Sequence, residues 1–231
     1  MIISPEQRHS PPPRSPRGET LSAPVMPPAV LRGSEGERPL VGSFEVNERC
    51  LEMLVNAARH EPTTSFALVT ELRDLLKSTT PEARRRAARR AFVLVDMEFA
   101  NADWWRTVCT RPSQQIRTPS WRGSFPRGPA IQLGHATLML AWGSLKVDVT
   151  TTRLLLGMAP PVADLILSLR FDELDRIARQ RYRHVHPRWD DRPAIWRRLL
   201  LAAQTGDRQL MGACNLYALQ LLAGELLSDA D

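Results

Sequence analysis

Six basic or titratable side chains, Arg179, Arg181, Arg183, His184, Arg188 and Arg192, fall within fourteen residues, and Arg197 and Arg198 follow one helical turn further on. So many like charges repel one another unless solvent or an anion separates them. Guanidinium groups suit planar, multivalent anions, and contact with a phosphodiester backbone would relieve the repulsion and bring a steep salt dependence. The set reads as a DNA-contacting patch; the alternative is a solvated face partly neutralised by Asp172, Asp175, Asp190 and Asp191. On the first reading, replacing Arg181 and Arg183 together by Ala weakens DNA binding without lowering the melting temperature. A second basic patch, Arg84, Arg85, Arg86, Arg89 and Arg90, covers most of one predicted helix surface and faces phosphate, an acidic partner or solvent.

Other chemistry is poorly provided for. His184 and His186 would share a face of an extended segment, but no nearby Cys or third ligand completes a metal site. Asp190-Asp191 could suggest an acid/base pair, yet no nucleophile or glycine-rich phosphate loop stands beside it. No catalytic residue, no metal site and no cofactor is assigned, and the chain is not read as an enzyme. Cys50, Cys109 and Cys214 are odd in number and widely spaced, which gives neither a disulfide framework nor a zinc spacing. A reducing compartment fits them. There is no apolar run of the ~18 residues a membrane span needs and no secretory start, so a cytoplasmic protein without a membrane partner is expected. The chain has 231 residues, 43% of them hydrophobic, and a formal net charge of +6. Only a few of its 31 basic residues are Lys. That balance admits nucleic acid, an anionic membrane or an acidic protein as partner.

The elements that must position these residues are mostly helical. Residues 1–43 hold nine of the 19 prolines and read as a disordered Pro-rich tail. From 44 to 109 a first helical unit is predicted. It has a helix over Glu45–His60 with Cys50, Leu51, Leu54, Val55 and Ala58 on one face, and a second over Thr64–Lys77. A third is started by Thr80-Pro81-Glu82. A short extended run, Phe92–Val95, and a helix bearing Trp104 and Trp105 complete the unit. Residues 110–129 form a basic linker with Arg111, Arg117, Arg122 and Arg127 around Trp121 and Phe125. A second helical unit spans 130–231. Its helices cover Ile131–Leu145, Thr150–Leu156 (stopped by Gly157 in a left-handed cap), Val162–Leu169 and Phe171–Arg179 with Phe171 inward. An extended basic stretch, Arg181–Arg188, leads to a helix capped by Asp190-Asp191 and carrying Ile195, Trp196, Leu199 and Leu200. The last helix runs from Asp207 to Leu227.

The two units echo one another. Asp74–Val95 lies over Asp164–Val185 without a gap, with identities at Asp74/Asp164, Leu75/Leu165, Ser78/Ser168, Arg86/Arg176, Ala88/Ala178, Arg89/Arg179 and Val95/Val185. After a one-residue gap Trp105-Arg106 faces Trp196-Arg197. A duplicated unit must bury its apolar face, and its sister is the nearest candidate.

Residues 131–226 resemble the FlhD family, the flagellar transcriptional activator subunits. The resemblance is carried in order by Ala141, Asp148, Leu156-Gly157-Met158, Val162-Ala163, Ile166, Leu169, Leu174, Ile177-Ala178 and His186-Pro187-Arg188-Trp189-Asp190. It reaches 44–109, a degenerate copy, only through the repeat. Val185 stands where many members carry a subunit-bridging Cys. The resemblance implies two FlhD-like units in tandem, forming an internal pseudo-dimer or joining a homodimer. It also implies a transcriptional activator subunit that binds promoter DNA with an FlhC-like zinc-binding protein, at a flagellar or mobile-element operon. The alternative is a protein-interaction adapter or anti-activator that keeps the helices and lacks DNA contact.

Overall fold

The computed structural model describes residues 38–61, 66–111, 114, 116–117 and 125–228, all within one compact unit, Ser34–Asp231. Residues 1–37, most of the predicted tail, lie outside the described residues, as do Trp121 and Arg122 of the linker. In chain order the helices are α1 (Arg38–His60), α2 (Ala67–Glu71), α3 (Arg73–Ser78), α4 (Pro81–Ala88), α5 (Ala102–Thr110), α6 (Arg127–Leu145), α7 (Val149–Leu156), α8 (Pro160–Ser168), α9 (Phe171–Gln180), α10 (Pro193–Thr205) and α11 (Arg208–Ser228). Two short strands, β1 (Val95–Asp96) and β2 (His186–Pro187), pair antiparallel. The predicted mostly helical class is therefore what the chain adopts.

Local chemistry places most helix ends. The Thr80 side chain accepts from the Ala83 N–H at 3.2 Å, with Pro81 in the first turn of α4. Asn101 and Asp148 do the same for α5 and α7 through Trp104 and Thr151, both at 2.9 Å. Each satisfies one of the N–H groups a helix start leaves open. Gly157 ends α7 at φ +56° and Gly206 ends α10 at φ +71°, a region that only glycine enters freely. At Gly157 the surroundings also matter: a Cβ there would stand 2.6 Å from Arg188 Nη1 and 2.9 Å from Leu222 Cδ2.

Several expected details shift. The predicted Thr64–Lys77 helix is two helices, broken at Leu72 (φ −107°, ψ 17°). Of Phe92–Val95 only Val95 enters a ladder. The stretch Arg181–Arg188 is not extended throughout: Tyr182–His184 makes a 3-10 turn before β2. Phe171 is 58% exposed, because it opens α9 at the surface and the inward face starts at Leu174. Asp190-Asp191 does not cap α10; Pro193 supplies the first helical residue, so Arg192 takes the cap position and Asp190 turns inward toward His186.

One core serves both halves of the described chain. Cys50, Leu51, Leu54, Val55 and Ala58 of α1 are buried as a single stripe, which is the amphipathic period put to use. α1 packs on α6, α4 on α10 and α5 on α8. Trp105 and Trp196 are fully buried, with Phe99 stacked on Trp105 at 6.2 Å and Phe92 edge-on to Trp189 at 5.7 Å. Gly134 lets α6 approach both strand segments closely: a Cβ at that position would lie 2.8 Å from Val185 Cγ2 and 3.5 Å from Met97 Cε.

Corresponding elements recur at the spacing of the sequence echo. α3 and α8 end at Ser78 and Ser168, and α4 and α9 begin at Pro81 and Phe171, ninety positions apart in each case. β1 and β2 begin at Val95 and His186, and α5 and α10 at Ala102 and Pro193, ninety-one apart. Glu98 (φ 59°) and Trp189 (φ 54°) are the positive-φ residues other than glycine among the described residues, again ninety-one apart. A bulky side chain in that region is strained by about 1–2 kcal/mol, so its recurrence just after each strand is a specific feature. In the ladder Val95 faces Pro187 and Asp96 faces His186. Pro187 cannot donate to the ladder; the next residue does, Arg188 N–H reaching Leu94 O at 2.8 Å. Among the described residues α11 follows α10 directly, whereas the next helix after α5 is α6, which opens at Arg127.

Candidate nucleic-acid interface

The thirteen residues that the sequence offered as DNA ligands divide into those the fold turns outward and those it consumes. Arg181, His184 and Arg188 are buried, at 6%, 4% and 4% exposure, and this corrects their placement in a surface patch. Arg181 Nη1 donates to Gln114 O at 2.7 Å, and burial lowers its affinity for a proton. The His184 ring lies tilted against Trp104 (centroids 5.0 Å apart), with Nδ1 3.4 Å from Glu98 Oε1 and Nε2 3.4 Å from Ile116 O. Arg188 donates from Nε to Val93 O at 3.2 Å and from Nη2 to Leu156 O and to Asp96 Oδ1, with Glu225 Oε2 3.7 Å from Nη1. Beside it His186 lies 3.5 Å from Asp96 and 3.7 Å from Asp190. The strand junction is thus a buried polar knot.

The cluster Arg84, Arg85, Arg86, Arg89 and Arg90 divides in the same way. Arg90 is 9% exposed and donates to Met211 O, Asn215 Oδ1 and Arg86 O at 3.3, 3.1 and 2.8 Å. Burial pulls its pKa down, against the opposing effect of Cys214. Arg86 is half-buried and spans from α4 to the end of α10, where Nε meets Ala203 O at 2.7 Å and Nη2 meets Gln204 O at 3.4 Å. The same device recurs elsewhere. Arg73 donates to Ala58 O and Glu61 O at the end of α1, and Arg59 to Lys77 O at the end of α3. The last carbonyls of a helix lack intrahelical donors and carry partial negative charge. A guanidinium from a neighbouring helix supplies both donor and cation.

The remaining residues form two exposed groups. Arg179 and Arg183 lie at the end of α9 and in the 3-10 turn. Arg179 is paired with Asp175 at 2.8 Å. Arg183 and Arg127 both stand 5.7 Å from the centroid of the Tyr182 ring. Arg127, noticed in the linker but not as a site residue, thereby joins the Arg183 group; it opens α6 and is exposed. Arg192 is exposed beside Asp191 at 3.7 Å. The second group sits on the packed pair α4 and α10. It holds Arg84, half-buried; Arg85, 3.5 Å from Glu48; Arg89, over the Phe44 ring; Arg197, 3.1 Å from Glu71; and Arg198, over the Tyr217 ring at 5.7 Å. Ion pairs this exposed are weak, so a polyanion can displace the carboxylates.

Sequence reasoning passed over an apolar groove of about 410 Å³ between α10 and α11, floored by Phe92, Leu94 and Trp196. A signal for it lies in the sequence of α11, where Leu210, Cys214, Tyr217 and Leu221 make one apolar stripe with Met211, Ala218 and Leu222 beside it. Among the described residues no group of three or more His, Cys, Asp or Glu could hold a metal ion, and no helix is long and apolar enough to cross a membrane. No family model matches the chain, and neither a curated protein nor a solved structure matches it.

Proposed function

We propose that the chain is a transcriptional activator subunit of the FlhD type, built as an internal pseudo-dimer that binds promoter DNA with an FlhC-like zinc-binding partner. One observation carries the reading. β1 and β2 recur ninety-one positions apart, which makes His186 the equivalent of Val95 and Pro187 the equivalent of Asp96, and in the antiparallel ladder each residue faces the equivalent of its neighbour, Val95 opposite Pro187 and Asp96 opposite His186. That reciprocal pairing is what a two-fold axis passing between the two pairs produces. The recurrence of helix starts and of a positive-φ residue after each strand supports the same symmetry. The exposed groups Arg179, Arg183 and Arg192, and Arg84, Arg85, Arg89, Arg197 and Arg198, are the residues that would meet phosphate. The knot around Arg188 would hold the two copies together.

A second reading has its own support. Five of the predicted ligands, Arg86, Arg90, Arg181, His184 and Arg188, are engaged inside the fold, which favours an adapter or anti-activator with little affinity for DNA.

Fluorescence anisotropy on duplex DNA across a salt series, with and without the partner, separates the two. An activator subunit gives binding whose logarithm falls linearly with the logarithm of salt. The triple variant Arg179→Ala, Arg183→Ala, Arg192→Ala then lowers that slope by roughly 0.9 for each phosphate contact removed, with an unchanged melting temperature. Salt-independent or absent binding in both conditions leaves the adapter reading. Light scattering tests the pseudo-dimer: a monomer of 26.0 kDa is expected, and an obligate dimer would count against internal pairing.

A further inference from the structure

The α10–α11 groove combines two apolar features that the DNA reading does not use with a cation, Arg198, that the same reading offers to phosphate. Its volume, about 410 Å³, is walled almost entirely by carbon: Ile195, Leu199 and Ala202 from α10, and Leu210, Ala213 and Tyr217 from α11. Leu201, Leu210 and Tyr217 of that lining are 47%, 50% and 41% exposed, and Leu216, on α11 outside the lining, is 61% exposed. Large aliphatic side chains left in water on adjoining helices mark a binding surface more often than a neutral one, and a surface this extended suits a chain segment rather than a small molecule. The polar character of the wall is cationic. Arg198 lines the groove, and among the described residues no carboxylate lies within ion-pair reach of it. Its guanidinium and that of Arg90 both act on the Cys214 thiol in the α11 wall. Two acids at the ends of α11 are engaged elsewhere: Asp207 accepts from the Gln209 and Leu210 N–H groups, and Glu225 from Trp189 Nε1 while also facing Arg188.

We propose that this groove receives the apolar face of an amphipathic helix from a protein partner, with a flanking carboxylate of that helix on Arg198. Two adjacent helices offering an apolar furrow are the usual receptor for a third helix, read as anchors at i, i+3, i+4 and i+7. A second copy of this chain is a poorer occupant, because the groove it would bring is lined by Arg198 and by no carboxylate that could pair with it. The inference goes beyond the activator reading and stands without DNA contact.

The probe is a fluorescein-labelled amphipathic peptide of about five helical turns, with Leu at i, i+3, i+4 and i+7 and Glu on both flanks, set against the same peptide with Lys flanks. On the full chain the Glu peptide should bind about tenfold or more tightly than the Lys peptide. The Arg198→Glu variant should reverse that preference. Ala213, exposed on the groove wall, can carry a Trp that fills the space, and Ala213→Trp should abolish binding while circular dichroism stays unchanged. Bound peptide should also slow alkylation of Cys214 and leave Cys109, outside the groove, unaffected. Equal binding of both peptides, retained binding by Ala213→Trp, or an unaltered Cys214 rate would overturn the proposal. So would a homodimer that Ala213→Trp dissociates, since the groove would then belong to a second copy.

Discussion

At the residue scale the chain uses one side chain, arginine, for two opposed purposes. Arg183 stands at the surface, whereas Arg188 is buried and donates from Nε to Val93 O and from Nη2 to Leu156 O and Asp96, with Glu225 3.7 Å from Nη1. What separates them is whether a helix end or a buried carboxylate lies within reach. Removing one partner of a buried charge network leaves the others unpaired in a poorly solvated place, at a cost of about 3–5 kcal/mol. Arg188→Met should therefore lower the unfolding free energy by that amount in urea titration, while Arg183→Ala changes it by less than about 0.5 kcal/mol. Equal effects would mean that the knot is not buried in solution. Cys50 gives a pH signature. It is fully buried, and burial drives its pKa well above the ordinary thiol range. The folded state then holds the proton while the unfolded chain releases it above pH ~8.5. Its contribution is fully present below that pH and is lost as pH rises, by up to about 1.4 kcal/mol per pH unit. The alkaline stability profile of Cys50→Ala should be flatter than that of the parent, apart from what Cys109 and Cys214, whose pKa values burial also raises, still contribute.

At the scale of elements, the connection from α4 to β1 is fastened to α1 by one side chain, beside the contacts of Val93 and Leu94 with Arg188 and Leu155. Asn47, buried on α1, donates from Nδ2 to Ala88 O and Phe92 O at 3.2 and 2.9 Å and accepts at Oδ1 from the Leu94 N–H at 2.6 Å. It thereby fastens a segment without regular secondary structure to a helix more than forty residues earlier. Asn47→Ala strands three backbone groups, each costing about 1–3 kcal/mol when unsatisfied. A loss of roughly 3 kcal/mol or more is expected in denaturant, with hydrogen exchange accelerated first at Phe92–Leu94. Uniform exchange across the molecule would show that the clamp is not local. Nothing in the neighbourhood of Asn47 in the sequence marks it out. It occupies an ordinary position of an amphipathic helix, and its partners lie far along the chain. Thr80, Asn101, Asp148 and Gly157, by contrast, act within a few residues of themselves, and Thr80 and Gly157 are legible in the sequence as a helix start and a helix stop. The break at Leu72 was not, because both flanking helices share the same apolar period.

At the scale of the molecule, the two halves cannot unfold separately. α1 packs on α6, α4 on α10 and α5 on α8, and the buried residues form one continuous cluster. Calorimetry should show a single cooperative transition for the described unit, with calorimetric and van't Hoff enthalpies equal. Two transitions would mean that the units at 44–109 and 130–231 are independent bodies. The shared core also bears on the activator reading. If the chain is its own pseudo-dimer, its DNA-facing surface is asymmetric, because α11 and the groove beside it exist once.

The sequence by itself determined the helical class, most helix ends and the ninety-residue echo, because caps, prolines and apolar periods act over short stretches of chain. It could not say which arginines remain available. That was decided by the tertiary structure, since a guanidinium stays in water or turns inward according to whether a distant segment brings it a bare carbonyl or a carboxylate. Arg86 and Arg90 look no different from Arg85 and Arg89 along the chain; only the arrival of α10 and α11 tells them apart.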